Sequence, residues 1–198
     1  MTVEIRPAED RDAAAIAAIY APFVESSATS FETDAPSAAE LRRRLQKTTV
    51  AYPWLVCVRG GSVAGYAYAT KHRVRAAYQW SVETSVYVHE SSRRAGVGRG
   101  LYTSLFAILA AQGFVNAYAG ITLPNDGSVA LHEAVGFQPV GVYRKIGYKT
   151  GAWHDVGWWH LALRAHPAEP EVPALLAEAQ RRPDWNAMLS AGVPVIRT

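Results

Sequence analysis

Residues 93–100, Arg-Arg-Ala-Gly-Val-Gly-Arg-Gly, have the composition of an anion-binding turn. Gly96 and Gly98 have no Cβ, so the backbone there can turn sharply and let a large anion approach. If a helix begins at this turn, its first N–H groups lack helical partners and its dipole favours negative charge. Positive charge is added within the same segment by Arg93, Arg94 and Arg99. The segment therefore predicts a site for a diphosphate.

Other interpretations of this turn make different demands on the rest of the chain. A dinucleotide-binding fold requires GxGxxG and an acidic residue on the next strand, but residues 118–122 are Tyr-Ala-Gly-Ile-Thr. A phosphate-binding P-loop requires GxxxxGK followed by Ser or Thr, which the chain lacks. A third interpretation is a plain strand-to-helix turn in which glycine is needed only for the backbone geometry. The motif taken alone does not exclude this interpretation.

Glu83 is the residue whose type and surroundings best suit proton transfer. It is the only carboxylate between Glu40 and Glu90, and residues 80–85 around it are otherwise apolar or hydroxylic. A carboxylate in such surroundings suits a general base that acts directly or through water. The alternative is a carboxylate on a strand edge that faces solvent.

Histidine and cysteine provide further reactive groups but no pattern of metal ligands. His132 lies one to two turns into a helix expected from Asn125, and taken alone it favours a structural role. The other five histidines show no ligand spacing with one another, so no metal is expected. Cys57, the single cysteine, lies in the apolar run Trp-Leu-Val-Cys-Val, which predicts a buried and inert thiol.

The hydrophobic pattern predicts the elements that must position these residues, in the order βααβββαβαββ. Strands are expected at residues 3–6, 54–59, 63–70, 80–88, 116–123, 137–145 and 153–163. Helices are expected from about residue 10, from the Ser37 and Glu40 capping box to residue 47, at 97–112 and at 125–135. Loops are expected at 71–79 and 147–151. This order is typical of an α/β (α+β) layer fold with a mixed sheet.

Bulk composition narrows the class of protein. The 198 residues are 49% hydrophobic and 19% charged, which fits a soluble globular domain. No apolar stretch approaches the roughly 18–20 residues that span a bilayer, and residues 1–6 lack the features of a secretion signal. A net charge of +3 does not by itself indicate nucleic-acid binding. With one cysteine, the chain fits a reducing compartment. We therefore expect a cytoplasmic protein with no nucleic-acid or membrane partner.

The composition of the sequence changes near residue 165. Five prolines, at 167, 170, 173, 183 and 194, punctuate short helical pieces from there onward. We expect residues 1–164 to form one domain and residues 165–198 a Pro-rich C-terminal extension.

Several motifs, and their order along the chain, resemble those of one enzyme family. The RxxGxG turn at 93–98, followed by a helix, resembles that of the GNAT superfamily of N-acetyltransferases. The wider set looks like the phosphinothricin (glufosinate) N-acetyltransferases: Tyr-Pro-Trp-Leu-Val at 52–56, Thr-Ser-Val-Tyr-Val at 84–88, Leu-Pro-Asn-Asp at 123–126, His-Glu-Ala-Val-Gly-Phe at 132–137 and Gly-Ala-Trp-His-Asp-Val-Gly at 151–157. The resemblance covers residues 3 to about 164.

The resemblance implies a GNAT fold, with a twisted mixed sheet of about seven strands, four flanking helices and a split at the fourth strand. Acetyl-CoA would lie in the split as cosubstrate, its pantetheine amides pairing with the backbone of Val86, Tyr87 and Val88 as an added strand would. Asn125 would bind near the pantetheine arm. The diphosphate would be held by Arg93, Arg94, Ala95, Gly96, Val97, Gly98 and Arg99.

The implied activity is acetyl transfer to the α-amino group of a small amino-acid-like substrate of the phosphinothricin, methionine sulfoximine or methionine sulfone type. Glu83 matches the general base of the resembled enzymes. His132 stands where many superfamily members have a tyrosine that protonates the thiolate, and histidine can give or take a proton near neutral pH. A backbone N–H, such as that of Val86, would stabilise the thioester oxygen.

Substrate binding is implied for Phe31, Arg73, Arg75 and Tyr78, because two guanidinium groups suit a carboxylate and a phosphinate. The family has a lysine where this chain has Arg73. This departure puts in doubt how the anionic group of the substrate is held. The resembled proteins are commonly homodimers, and the same is expected here. Two alternatives stay open, a non-catalytic CoA-binding regulatory domain and an acetyltransferase that acts on a protein amine.

Overall fold

The computed structural model of the chain describes residues 2–197, which form one seven-stranded sheet in the order β1-β2-β3-β4-β5-β7-β6. The strands are β1 (Val3–Pro7), β2 (Trp54–Arg59), β3 (Ser62–Lys71), β4 (Ser81–Val88), β5 (Asn116–Leu123), β6 (Gln138–Lys149) and β7 (Ala152–Ala162). The helices are α1 (Ala13–Glu25), α2 (Ala38–Thr48), α3 (Val97–Gln112), α4 (Asp126–Ala134), α5 (Leu176–Ala179) and α6 (Trp185–Ser190). The predicted order of elements is confirmed, with α5 and α6 added in the C-terminal extension.

The sheet is mixed and divides at its fourth strand. β4 and β5 run parallel, whereas the other neighbouring strands are antiparallel. The parallel pairing joins residues 81–83 of β4 to residues 116–118 of β5, although β4 continues to Val88 and β5 to Leu123. Beyond Glu83 the two strands therefore separate and leave a cleft. The predicted α/β fold and its split are confirmed.

Helices cover the two faces of the sheet unequally. On one face α3 packs with β4 and β5 in a core that includes Val82 and Tyr102. On the other face α1 and α2 pack over β2 and β3. Because side chains alternate along a strand, Val82 and Glu83 point to opposite faces of β4, and Glu83 lies on the face away from α3. Cys57 on β2 is fully buried, as predicted, and burial raises the pKa of its thiol to about 11.

The loop predicted at 147–151 is wrong in its extent. β6 continues to Lys149, and the turn is confined to Thr150 and Gly151, whose φ values are 51° and 79°. Gly147 had suggested a turn, but it pairs with His154 inside the hairpin. A Cβ at Gly147 would collide with the ring of Phe31, so the glycine serves close packing rather than chain reversal.

The C-terminal extension packs along α3 from one end to the other. Near the end of α3, Gln112 donates its side-chain amide to Ala174 O at 2.9 Å. At its middle, Ser104 Oγ donates to Leu189 O at 2.7 Å. The last described residue, Arg197, donates its N–H to Ala95 O at 2.9 Å. The buried side chains of the extension include Leu176, Met188 and Ile196. These residues belong to the same core as α3, and the domain boundary at residue 164 remains a prediction.

None of the helices within residues 2–197 combines the length and apolar content that a bilayer crossing requires.

Replacing Gly192 by Ala is expected to lower the free energy of unfolding by about 1–3 kcal/mol, the usual cost of overpacking. Gly192 lies against the backbone of Gly100 so closely that an added Cβ would overlap the Gly100 carbonyl. Urea denaturation followed by circular dichroism measures the change. Gly127→Ala is the matched control, because a Cβ there meets nothing within 4 Å. Equal stability of Gly192→Ala and the wild type would contradict this packing.

Candidate active site

The arginine–glycine turn joins β4 to α3 and presents free backbone donors. Arg94 and Gly96 both adopt left-handed backbone conformations, with φ values of 60° and 83°. The first helical hydrogen bond of α3 runs from Gly100 N to Gly96 O at 2.8 Å. The N–H groups of residues 97–99 therefore precede the first intrahelical donor, as at any helix start. Those of residues 94–96 donate to no other described residue. The side chains of Arg93, Arg94 and Arg99 are exposed around these donors.

The start of α4 borders the cleft between β4 and β5, which Asn125 and Ser128 help to line. Asn125 caps α4 by accepting a hydrogen bond from Ser128 N to its Oδ1 at 3.2 Å. A Cβ built at Gly98 would lie 2.8 Å from Leu131 Cδ2, so the first turn of α3 packs against the C-terminal half of α4. The absence of a side chain at Gly98 thus lets the start of α3 pack closely on Leu131 of α4.

The cleft between the separated strands is a narrow polar channel. Its walls are the backbone of β4 from Thr84 to Tyr87 on one side and residues 120–122 of β5 on the other. β4 has no strand partner on this side after Glu83, so its backbone edge can pair with an extended ligand. The other residues that line the cleft include Thr29, Tyr102, Asn125 and His132.

His132 has a defined tautomer because each ring nitrogen has its own partner. Nδ1 lies 2.7 Å from the carbonyl oxygen of Ser128, and since a carbonyl only accepts, Nδ1 carries the proton. Nε2 lies 2.9 Å from Tyr102 Oη, so it accepts from that hydroxyl. Burial lowers the pKa of His132 below its usual 6.5 and raises that of Tyr102. Both groups are therefore neutral at pH 7, and the hydroxyl proton lies between Tyr102 Oη and His132 Nε2.

Lowering the pH from about 7 to about 5 is expected to reduce the free energy of unfolding, and His132→Gln should reduce this dependence. The pKa of His132 is lower folded than unfolded, so the unfolded chain binds more protons as the pH falls through 6.5. His160 contributes in the same direction, because burial also lowers its pKa. Urea denaturation at several pH values measures the slope. An unchanged slope in His132→Gln would contradict the buried neutral imidazole.

Glu83 lies at the inner end of the cleft and is partly exposed, at 32%. It is the last residue of β4 paired with β5, opposite Tyr118. Its Oε1 accepts from His72 Nδ1 at 3.0 Å and from Arg73 Nη1 at 3.3 Å. Glu83 is therefore neither deeply buried nor an isolated surface carboxylate, but half of a close pair with His72.

The residues predicted for substrate binding lie along one face but do not form one contact cluster. Arg73 lies 5.6 Å over the ring of Trp158 as well as near Glu83. Tyr78 lies 6.0 Å from the ring of His72. Arg75 is exposed, and its side chain makes no hydrogen bond to a described residue.

Phe31 lies farther along the same face. Its ring packs on Gly147 and is 6.3 Å from that of His154, at the β6–β7 hairpin. Lys149 holds this loop in place by donating to Ser30 O at 2.6 Å.

Sequence reasoning missed His72, Tyr102 and Trp158 as members of this site. His72 follows β3 by one residue, and the β3–β4 register sets Thr70 opposite Glu83, which brings the imidazole to the carboxylate. Tyr102 faces the cleft from the second turn of α3. Neither the His72–Glu83 contact nor the Tyr102–His132 contact has a signature in local spacing. Within residues 2–197 no group of three or more His, Cys, Asp or Glu side chains is placed to hold a metal ion.

Comparison with known proteins identifies the fold and family. A model of the acetyltransferase (GNAT) domain matches residues 5–158. The phosphinothricin N-acetyltransferase of Streptomyces viridochromogenes is 46% identical over 85% of this chain and 91% of that protein. The L-methionine sulfoximine/L-methionine sulfone acetyltransferase of Salmonella typhimurium is 34% identical, over 83% and 96% respectively.

A solved structure extends the similarity to three dimensions. The GNAT superfamily phosphinothricin acetyltransferase of Sinorhizobium meliloti, crystallised in complex with acetyl-CoA, superposes with a TM-score of 0.80 and 32% identity. The match covers 89% of this chain and 99% of that one. The chain belongs to the GNAT acetyltransferase family and, within it, to the group of phosphinothricin N-acetyltransferase-like enzymes.

Proposed function

We propose that this chain is an acetyl-CoA-dependent N-acetyltransferase that acetylates the α-amino group of a small amino-acid-like substrate by direct transfer. The substrate is of the phosphinothricin, methionine sulfoximine or methionine sulfone type. The observation that carries the proposal is the position of Glu83, the last paired residue before β4 and β5 separate. A proton-accepting group there stands where an amine would meet an acyl group held between the two strands.

The cofactor end of the cleft fits acetyl-CoA, which supplies the acetyl group as a thioester. Free N–H groups at the start of α3 and the exposed Arg93, Arg94 and Arg99 suit its diphosphate. The unpaired edge of Val86, Tyr87 and Val88 suits the pantetheine amides. Ala95, Gly96, Val97 and Gly98 complete the turn. Asn125, beside the cleft, keeps its amide Nδ2 available for the same arm, because its cap uses only Oδ1. The acetyl-CoA complex of a relative at 32% identity supports this assignment.

The reaction requires a base and a proton source. An aliphatic α-amino group is mostly protonated at neutral pH, and only the free amine attacks a thioester. Glu83 and the imidazole bonded to it form the proton-accepting centre. Tyr102 and His132 share a hydroxyl proton inside the cleft, and we assign this pair to protonation of the departing thiolate. The N–H of Val86 would stabilise the thioester oxygen as charge develops on it.

The substrate end is lined by cationic and aromatic side chains. We assign the anionic groups of the substrate to Arg73 and Arg75, with Tyr78 and Phe31 as aromatic walls. The relatives that act on phosphinothricin and on methionine sulfoximine or sulfone support this class of substrate. Tetrahedral phosphorus and sulfur groups present similar oxygen geometry to a guanidinium, so both kinds of substrate fit the same pair.

A thiol-release assay tests the function. We expect free thiol from acetyl-CoA with glufosinate, methionine sulfoximine or methionine sulfone, and less with common amino acids. Cofactor binding without release across the panel would overturn the proposal and favour the regulatory domain. Acetylation of peptide amines alone would instead favour a protein acetyltransferase.

We also propose that the protein is a cytoplasmic homodimer. Strand β6 is at the edge of the sheet, and its hairpin with β7 exposes Val140, Val142, Ile146, Tyr148 and Trp153. Exposed apolar patches of this kind suit a protein interface. Sedimentation velocity is expected to give twice the monomer mass of 21.5 kDa, and a monomer at micromolar concentration would overturn the proposal.

Acetylation of glufosinate would also make the chain a resistance factor. Growth of a bacterium that expresses the protein, on medium that contains glufosinate, tests this proposal.

A further inference from the structure

The pair formed by His72 and Glu83 has the geometry of an imidazole–carboxylate dyad. His72 Nδ1 lies 3.0 Å from Glu83 Oε1. A carboxylate only accepts, so Nδ1 carries the proton, and in the neutral ring Nε2 is then an acceptor. Nε2 has no hydrogen-bond partner among residues 2–197. The ring thus presents one unoccupied basic atom.

The surroundings of His72 fix the imidazole plane. The ring stacks on Tyr118 with centroids 4.4 Å apart and planes 14° from parallel. The rings of Tyr78 and Trp158 are steeply inclined to the imidazole, with centroids 6.0 Å from it in each case, and the His72 side chain is only 11% exposed. A histidine held between aromatic rings and a carboxylate cannot easily rotate away from the carboxylate. Such restraint is more than an incidental surface contact requires.

Glu83 is less suited than His72 to receive the proton. Its Oε1 already accepts from both His72 and Arg73, at 3.0 and 3.3 Å. A carboxylate that accepts from the imidazole holds the ring in place and stabilises a positive charge that develops on it. The charged and titratable groups that face His72 are Glu83 on β4, Arg73 and Tyr78 in the β3–β4 loop, and Tyr118 on β5. His160 on β7 lies behind Tyr118.

We propose that His72 Nε2 is the atom that accepts the amine proton, and that Glu83 holds the imidazole and stabilises its charged form. This inference rests on the proposed function. The substrate ammonium gives one proton to Nε2, and its nitrogen then forms a bond to the acetyl carbon as the C–S bond breaks. The second nitrogen proton leaves as the amide forms, and the thiolate gains one. The net products are the amide, the CoA thiol and one proton, which passes from His72 to solvent.

The pH dependence of kcat in two variants separates the two candidate bases, because kcat reports groups in the enzyme–substrate complex. His72→Asn retains an amide N–H near the position of Nδ1, so it can still donate to Glu83 but cannot accept a proton. We expect it to lower kcat by about 10²–10⁴-fold and to remove the acid limb of the profile, with the KM for acetyl-CoA unchanged. Glu83→Gln should also be slow but should keep an acid limb, because the imidazole remains.

His160→Gln is the matched control, since His160 also lies near Tyr118, with centroids 5.0 Å apart, but hydrogen-bonds Asn116. It should leave the acid limb in place. An acid limb that survives in His72→Asn and disappears in Glu83→Gln would overturn the inference and make Glu83 the base.

A measurement on the wild-type protein guards against variants that fold poorly. Long-range ¹H–¹⁵N NMR is expected to show the Nδ1–H tautomer of His72 at neutral pH, and the Nε2–H tautomer would overturn the inference while leaving the proposed function intact. A wild-type enzyme that releases no thiol with any amine would overturn both.

Discussion

Replacing Glu83 by Gln is expected to lower kcat by about 10²–10⁴-fold and to leave the Kd for acetyl-CoA unchanged. The carboxylate lies at the inner end of the cleft, on the face away from α3, so it does not line the part that suits the cofactor. Glutamine has nearly the same shape and can still accept from His72, but it carries no charge. The loss should therefore appear in the proton-transfer step alone.

Steady-state thiol release gives kcat, and equilibrium titration with CoA gives the affinity. Glu4→Gln is the matched control, because Glu4 is exposed on β1 and makes no side-chain hydrogen bond within residues 2–197. A Glu83→Gln enzyme that turns over at the wild-type rate would remove Glu83 from the chemistry. A loss of CoA affinity equal to the loss of kcat would point instead to damage in the cleft.

Removing Arg94 and Arg99 together by alanine substitution is expected to raise the Kd for acetyl-CoA by about 100-fold. Each charge-assisted hydrogen bond contributes about 1.5 kcal/mol or more, and 1.4 kcal/mol is a tenfold change in affinity. Both side chains are exposed and are bonded to no described residue, so their removal should cost little stability. kcat at saturating cofactor should stay close to the wild-type value.

The salt dependence of binding provides a second readout for the same variant. Because Coulomb attraction to the diphosphate is screened by ions, added salt should weaken binding in the wild type more than in the double variant. The control is Arg42→Ala with Arg181→Ala, which removes the same charge from exposed sites on α2 and in the C-terminal extension. Equal affinity of the two double variants would show that the turn does not bind the diphosphate through these side chains.

The elements of the fold were predictable because each has a local cause. Ser37 caps α2 by accepting from Glu40 N at 3.2 Å, and Gly113 ends α3 in the left-handed region, as their residue types suggest. Gly147 led to a wrong loop prediction because glycine occurs both where the chain reverses and where a side chain would collide with a neighbouring ring. Local sequence does not distinguish these two cases. The phenylalanine that explains it lies more than a hundred positions earlier.

The local geometry of the candidate site was predictable only where a motif lies on one continuous segment. The left-handed turn within residues 93–99 and the helix cap at Asn125 satisfy this condition. The contact between Glu83 and His72 was not predictable in this way, because the antiparallel register of β3 and β4 brings the two residues together. The contact between Tyr102 and His132 joins two helices 30 positions apart. The path of the C-terminal extension along α3 is likewise a sum of long-range contacts that prolines and short helical pieces do not specify.

Cys57 gives a thiol reagent two separate uses with this protein. The chain has one thiol, fully buried on β2, with its pKa raised to about 11, so the folded protein should contribute almost no colour with a disulfide reagent. In the presence of acetyl-CoA and an amine, the signal then counts turnovers. Without them, the slow appearance of one equivalent of reacted thiol per chain reports how often the sheet opens around β2. One assay therefore measures both catalysis and conformational stability.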